Sequence, residues 1–296
     1  MTSSPPRGLL PPPIITQAGP LLENYDVLFC DVWGVVHDGV RAYPGATDAL
    51  LRFRARGGTV VLVTNAPVPK FRVEAMLEAR HVPPDAYDAI VSSGEIALAH
   101  LSERGYDRVH LIGPRGRDGA FFDRVTAADV AVSDAEAVVC TGLVDDVNET
   151  VETYKPLLEE ARALDLPFVC ANPDLVVDVG GRLFLCAGAL ADAYVHMGGT
   201  VFWAGKPHAS AYRTATAAAE QIRDAEVRSG RILVIGDAVR TDLAGAQGAG
   251  LDALFIAGGI HRHETISGDS LDPEKLALLF PAGTPGALAA MPALAW

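Results

Sequence analysis

The chain has 296 residues, of which 49% are hydrophobic and 21% charged, with a net charge of −13. This supplies apolar residues for a large core and, by length, about two domains. There is no Lys/Arg cluster and no aromatic–basic interleaving, which argues against a nucleic-acid partner. No apolar run nears the roughly 18 residues of a membrane span. Met1 to Pro13 lacks a basic stretch followed by an apolar one, so the expectation is a cytoplasmic protein without a signal peptide. The four cysteines, Cys30, Cys140, Cys170 and Cys186, are widely spaced and lie in or beside apolar runs, so they read as buried reduced thiols.

Residues 1 to about 20, rich in Pro and Ser, read as an extended arm. Val27-Leu28-Phe29 then begins a buried strand that ends at Asp31. His37-Asp38-Gly39 is a tight turn. Pro44 to Arg56 reads as a helix with Ala46, Ala49, Leu50 and Phe53 on one face, stopped by Gly57-Gly58. Thr59 to Asn65 is a second buried strand, Pro69 to Arg80 a helix, Ala89 to Ser92 a short strand, and Gly94 to Arg104 a helix.

A second α/β block follows. Arg108 to Gly113, Ala137 to Thr141 and Phe168 to Ala171 read as strands, Asn148 to Leu164 as a long helix, and Leu175 to Cys186 as a hairpin around Gly180-Gly181. The first pattern then resumes, with helices at Gly188 to Met197, Ala209 to Ala225 and Thr241 to Gly248, and strands at Val201 to Ala204, Arg231 to Asp237 and Leu254 to Ala257. Beyond His263 the periodicity is weak and no element is assigned. Alternating strands and helices predict parallel sheets.

Four strand ends carry polar groups: Asp31, Thr64-Asn65, Lys206 and Asp237. In one parallel sheet these ends share an edge. Asp31 and Asp237 offer oxygen ligands to a hard divalent cation. Thr64 and Asn65 offer a hydroxyl and an amide to a phosphate, and Lys206 a point charge. Asp242, near the start of the next helix, is placed to cap it or to orient a metal-bound water. Each feature alone is an ordinary turn or cap signal; their order and spacing together point to a shared site.

These residues resemble the four motifs of the haloacid dehalogenase (HAD) superfamily: Asp31-Val32-Trp33-Gly34-Val35, Thr64-Asn65, Gly205-Lys206-Pro207, and Gly236-Asp237 with Thr241-Asp242. A large insert between the second and third motifs resembles class IIA, the nitrophenylphosphatase-like and nucleotide-phosphatase-like hydrolases. So do Ser92-Ser93-Gly94-Glu95, Ala171-Asn172-Pro173-Asp174 and Gly205-Lys206-Pro207-His208. The resemblance covers about residues 21 to 263 and is nearest to a proteobacterial subgroup whose first motif also reads Asp-Val-Trp-Gly-Val. It implies an α/β fold, a Rossmann-like parallel-sheet core with an inserted α/β (C2-type) cap. The expected division is an arm over 1–20, a core over 21–103 plus 187–263, a cap over 104–186, and a C-terminal tail over 264–296.

The resemblance also implies a mechanism. Asp31 attacks phosphorus to form an aspartyl-phosphate. Mg2+ is held by Asp31, Asp237 and the backbone carbonyl of Trp33, with Asp242 acting through a bound water. Thr64 binds phosphoryl oxygens, and Lys206 offsets the charge gathered there. The substrate is a small phosphorylated metabolite, since a large cap blocks macromolecules; Asn172 and Asp174 are candidate contacts, and homo-oligomerisation through the cap is open.

The pattern breaks at Trp33. Most phosphatases of the family carry there an aspartate that protonates the leaving group and activates water. Loss of such an acid/base costs about 10²–10⁴-fold in rate. Three readings stay open: a phosphatase that uses good leaving groups or borrows an acid such as His37 or Asp174; a dehalogenase-like hydrolase; or a phosphometabolite-binding protein with little turnover. A dinucleotide-binding oxidoreductase is excluded, because no strand leads into a G-x-G-x-x-G turn.

Overall fold

The computed structural model describes residues 11–179, 181–268 and 270–296. In chain order the strands are β1 (Val27–Cys30), β2 (Thr59–Thr64), β3 (Ala89–Ser92), β4 (Arg108–Ile112), β5 (Ala128–Asp129), β6 (Ala137–Cys140), β7 (Phe168–Cys170), β8 (Val176–Val179), β9 (Arg182–Leu185), β10 (Val201–Trp203), β11 (Ile232–Gly236), β12 (Asp252–Ile256), β13 (Ile266–Ser267), β14 (Ser270–Leu271) and β15 (Ala289–Met291). They form a six-stranded sheet, β15-β12-β11-β1-β2-β3, a five-stranded sheet, β10-β7-β6-β4-β5, and two ribbons. The chain divides into two compact units: the described residues to Thr64 with 75–91 and 212–296, and residues 65–74 with 92–211.

In the first unit, β1 lies between β11 and β2, parallel to both, with Cys30 level with Ile235 and with Leu62. Every residue of β1, β2 and β11 is buried. That is why these segments read as unbroken apolar runs: a strand covered on both faces needs no polar alternation. The helix Pro44–Ala55 starts with proline in its first turn and buries Ala46, Ala49, Leu50 and Phe53, as its periodicity predicts. Gly57 follows at φ +85°, and a Cβ on Gly58 would meet the Phe53 ring at 2.3 Å. The double glycine therefore both ends the helix and lets it pack.

The expected C-terminal tail, 264–296, holds regular structure. β15 pairs in parallel with β12, Leu276 and Phe280 are buried, and the helix Pro273–Leu279 is capped by Asp272, whose carboxylate accepts from the N–H groups of Glu274 and Lys275. An Ala-Ala-Met strand has no alternation to betray it. Of the expected arm, residues 1–10 lie outside the described residues. Residues 11–18 are tied down: Ile15 N–H donates to Ala290 C=O, Ala290 N–H to Pro13 C=O, and Ala18 N–H to Ala295 C=O.

In the second unit, β4, β6, β7 and β10 pair in parallel. The hairpin expected between Leu175 and Cys186 forms as β8 and β9, with Gly180 outside the described residues. The return to the first block comes later than residue 187. The helix Ala187–His196 buries Ala187, Leu190, Ala191 and Tyr194 in one core with Leu158 and Phe168, and β10 joins β7. The helix Arg115–Phe122 is an element that the sequence reading left out; Gly116 and Gly119 mask its helical character. Among the described residues no helix is long and apolar enough to cross a membrane.

Candidate functional site

The carboxyl ends of three adjacent strands in the first unit carry Asp31 after β1, Thr64 closing β2, and Asp237 after β11. This is the edge at which open α/β sheets place their ligands. Asp31 extends the ladder, its N–H donating to Ile235 C=O at 2.8 Å, while its Oδ1 accepts from Val32 N–H at 2.8 Å. Asp237 Oδ2 accepts from Ile260 N–H at 2.7 Å. Asp242 sits in a wide helical turn, Val239–Leu243, where Leu243 N–H reaches back five residues to Ala238 C=O; its Oδ2 accepts from Ala238 N–H at 3.1 Å. Asp31, Asp237 and Asp242 are all buried, and one oxygen from each lies within 4.8 Å of the others.

Three like charges so close in a buried place would repel one another and lose hydration. A hard divalent cation relieves both costs, and an all-oxygen donor set suits it. Bare backbone makes room for the cluster. A Cβ on Gly34 or on Gly259 would stand 1.9 Å from Asp237 Oδ2, and one on Gly236 would stand 2.1 Å from Asp242 Cγ. Asp31, Asp237 and Asp242 are legible in the sequence, whereas Gly259 and Ile260 follow a strand in an otherwise featureless Ala-Gly-Gly-Ile run. Asp242 stands within 4.8 Å of the other two carboxylates.

Trp33, at the position of the missing acid, is half-buried. Its ring meets His37 edge-on at 5.1 Å between centroids, and a Cβ on Gly39 would lie 2.5 Å from it. Arg80 Nε and Nη2 hold the Gly39 carbonyl at 3.0 and 2.6 Å. His37 is 0% exposed, and its Nδ1 accepts from Gly39 N–H at 2.9 Å. Burial, with the Arg80 charge adding to it, pushes the imidazole down to about 4. His37 is thus neutral and enclosed in the turn. Tyr43, half-buried, has its phenol pushed up by burial and by the charges of Asp38 and Asp237, so it stays protonated.

Lys206 departs from the expectation of one shared sheet. β10, the strand before it, belongs to the five-stranded sheet, so Lys206 closes a strand of the second unit while Asp31, Thr64 and Asp237 close strands of the first. Beside it in the second unit are Asn65, Ser93 and Asp174. Asn65 Nδ2 donates to Asp174 Oδ1 at 2.9 Å and to Lys206 C=O at 3.1 Å; its Oδ1 accepts from Lys206 N–H at 2.8 Å and from Ser93 Oγ at 3.2 Å. Both amide hydrogens are thus used within the unit. Asn172 Oδ1 accepts from Asp174 N–H at 3.1 Å, an Asx turn.

The comparisons with known proteins agree with this architecture. Residues 28–125 match the family model described as haloacid dehalogenase-like hydrolase, and residues 203–278 a second model, HAD-hydrolase-like. A hydrolase of the haloacid dehalogenase-like family from Brucella suis 1330 is 42% identical, with a TM-score of 0.83 over 95% of this chain and 100% of that one. The ribonucleotide monophosphatase NagD of Escherichia coli K12 is 26% identical over 240 residues, 79% of this chain and 88% of its own length. The glycerol phosphate phosphatase of Mycobacterium tuberculosis, solved in complex with calcium, is 25% identical, with a TM-score of 0.60 over 81% of this chain and 68% of its own.

The chain belongs to the haloacid dehalogenase-like hydrolase family. Its class IIA motifs resemble those of the phosphatase branch of that family.

Proposed function

We propose that the enzyme hydrolyses a small phosphorylated metabolite with Mg2+ bound, through Asp31 as nucleophile. The observation that carries this reading is the buried cluster of Asp31, Asp237 and Asp242 on the strand edge that also holds Thr64. Asp31 forms a bond to phosphorus as the bond from phosphorus to the leaving oxygen breaks, and the electron pair goes with that oxygen. Water then attacks the aspartyl-phosphate and releases inorganic phosphate. Thr64 donates its hydroxyl to a phosphoryl oxygen, and Lys206 keeps the charge-offsetting role that the motif resemblance assigns it. Asp31, Asp237 and Asp242, with the Trp33 carbonyl, would hold the cation, which when bound offsets phosphate charge.

Trp33 narrows the substrate. An indole neither donates nor takes up a proton at neutral pH, and His37 is neutral and enclosed. Without an acid from Trp33 or His37, and with Asp174 already engaged by Asn65, the site favours aryl phosphates, acyl phosphates and phosphoanhydrides over alkyl esters, whose loss of acid assistance costs about 10²–10⁴-fold. Trp33 also supports the alternative of a phosphometabolite binder with little turnover. The test is hydrolysis of para-nitrophenyl phosphate, acetyl phosphate and glycerol phosphate with and without Mg2+, by wild type and Asp31→Asn. Mg2+-dependent turnover of the first two, abolished in Asp31→Asn, is expected. Wild-type rates in Asp31→Asn would overturn the nucleophile assignment, and binding without turnover would favour the binder.

A further inference from the structure

The side chain of Asn65 grips one residue at both of its backbone groups. Lys206 N–H donates to Oδ1 at 2.8 Å, and Lys206 C=O accepts from Nδ2 at 3.1 Å. These partners also fix which way the amide faces, because a backbone N–H can only donate and a carbonyl can only accept. The remaining Nδ2 hydrogen goes to Asp174, in the turn after β7, and the remaining Oδ1 lone pair to Ser93, at the start of the helix Ser93–Arg104. All four hydrogen-bonding capacities of the amide are filled. Asn65, Ser93 and Lys206 are buried.

The elements around this hub are cut to fit it. A Cβ on Gly205, which has φ +148°, would lie 2.1 Å from Ser93 Oγ and 2.5 Å from Asn65 Oδ1. A Cβ on Gly188 would lie 2.4 Å from the carbonyl oxygens of Pro173 and Asp174, and one on Gly94 would lie 2.6 Å from the backbone of Val68. Three glycines from three segments thus yield their side chains so that the loops meet at Asn65.

We infer that Asn65 is a positioning residue for Lys206: its amide fixes the peptides on both sides of the lysine and so sets the direction in which the side chain leaves the backbone. Nζ of an extended lysine lies about 6 Å from Cα, so a tilt of about 10° displaces it by about 1 Å. A misplacement of that size is worth about 10²-fold in rate at a reacting centre. Asp174 and Ser93 hold the amide in turn, so the grip on Lys206 depends on the turn after β7. The catalytic consequence rests on the phosphatase reading, whereas the positioning does not.

The experiment uses the full chain and the variants Asn65→Ala, Asn65→Asp, Asp174→Asn and Ser93→Ala. The first readout is the rate at which an amine-selective succinimidyl ester acylates Lys206, mapped by peptide mass, with Lys70, Lys155 and Lys275 as internal references. The second is kcat and KM for para-nitrophenyl phosphate with Mg2+. Asn65→Ala is expected to raise Lys206 acylation severalfold while the reference lysines stay constant, and to lower kcat about 100-fold with little change in KM. Asn65→Asp keeps the size and the acceptor for Lys206 N–H but loses both donors, so it should show the same signature if the alanine variant does not fold. Asp174→Asn and Ser93→Ala, which leave the grip on Lys206 itself in place, should fall between these and wild type. Unchanged Lys206 acylation in both Asn65 variants would overturn the proposal. Altered Lys206 acylation in the Asn65 variants, together with a wild type that turns over no phosphate ester, would keep the positioning and reject the phosphatase reading.

Discussion

Gly34 leaves no room for a side chain beside Asp237: its φ is +80°, and a Cβ there would stand 1.9 Å from Asp237 Oδ2. A side chain at this position is strained by the backbone and displaces a carboxylate of the cluster at the same time. Gly34→Ala is therefore expected to cost about 1–3 kcal/mol in stability and to weaken cation binding. Thermal melts with and without added Mg2+ check it. The wild type should gain melting temperature from the cation and the variant should gain less. Equal gains would mean that Asp237 has not moved.

Trp33→Asp puts a carboxyl group two residues after Asp31. The expected result is a rise of about 10²-fold in kcat/KM for an alkyl phosphate relative to para-nitrophenyl phosphate, whose leaving group needs no proton. The same change removes a ring that packs against His37 and Gly39, so stability falls by about 1–3 kcal/mol. An unchanged ratio between the two substrates would show that leaving-group protonation does not limit the reaction.

His37 ties stability to pH. Its folded value of about 4 lies below the ordinary 6.5, so between those values the unfolded chain binds more protons than the folded one. Stability is complete above pH 6.5 and declines as pH falls towards 4, by about 3 kcal/mol if no other group intervenes. Denaturant titrations at stepped pH should show this slope in wild type and a flatter one in His37→Leu. That variant also loses the acceptor for Gly39 N–H, at a cost of about 1–3 kcal/mol at all pH values.

The cysteines should be silent in the native state. All four are buried; burial pushes Cys140 up to about 12 and raises Cys170 and Cys186 as well. Only a thiolate attacks an alkylating or disulfide reagent. No thiol titre is expected at pH 8 in the folded protein, and four in denaturant. Rapid labelling of one cysteine without denaturant would reveal local opening.

Much of this was readable in the residues, for identifiable reasons. Asp31 and Asp237 end unbroken apolar runs, and a run buried on both faces marks a central parallel strand whichever way its neighbours are ordered. Periodicity does not say which sheet a strand joins. Val201–Trp203 therefore read as part of the first block, and Lys206 with it, when its pairing partner is β7. The Asn65 side chain was equally opaque. An amide after a strand looks the same whether it faces a ligand or a lysine backbone 141 residues away in sequence. The helix Arg115–Phe122 and β15 were missed because glycine and alanine carry little pattern.

The pairing of β1 with β11 sets Val27 level with Ile232. The two aspartates that follow these strands are therefore neighbours in the sheet although roughly two hundred residues of chain separate them. Bringing such distant segments together carries a loop-closure cost that non-local pairing alone must offset. Neither half of the chain holds the pair, so a limited proteolytic fragment from either side carries only part of the carboxylate cluster. The cluster exists only in the completed sheet, so a cation that bound it would act as a thermodynamic latch on that sheet.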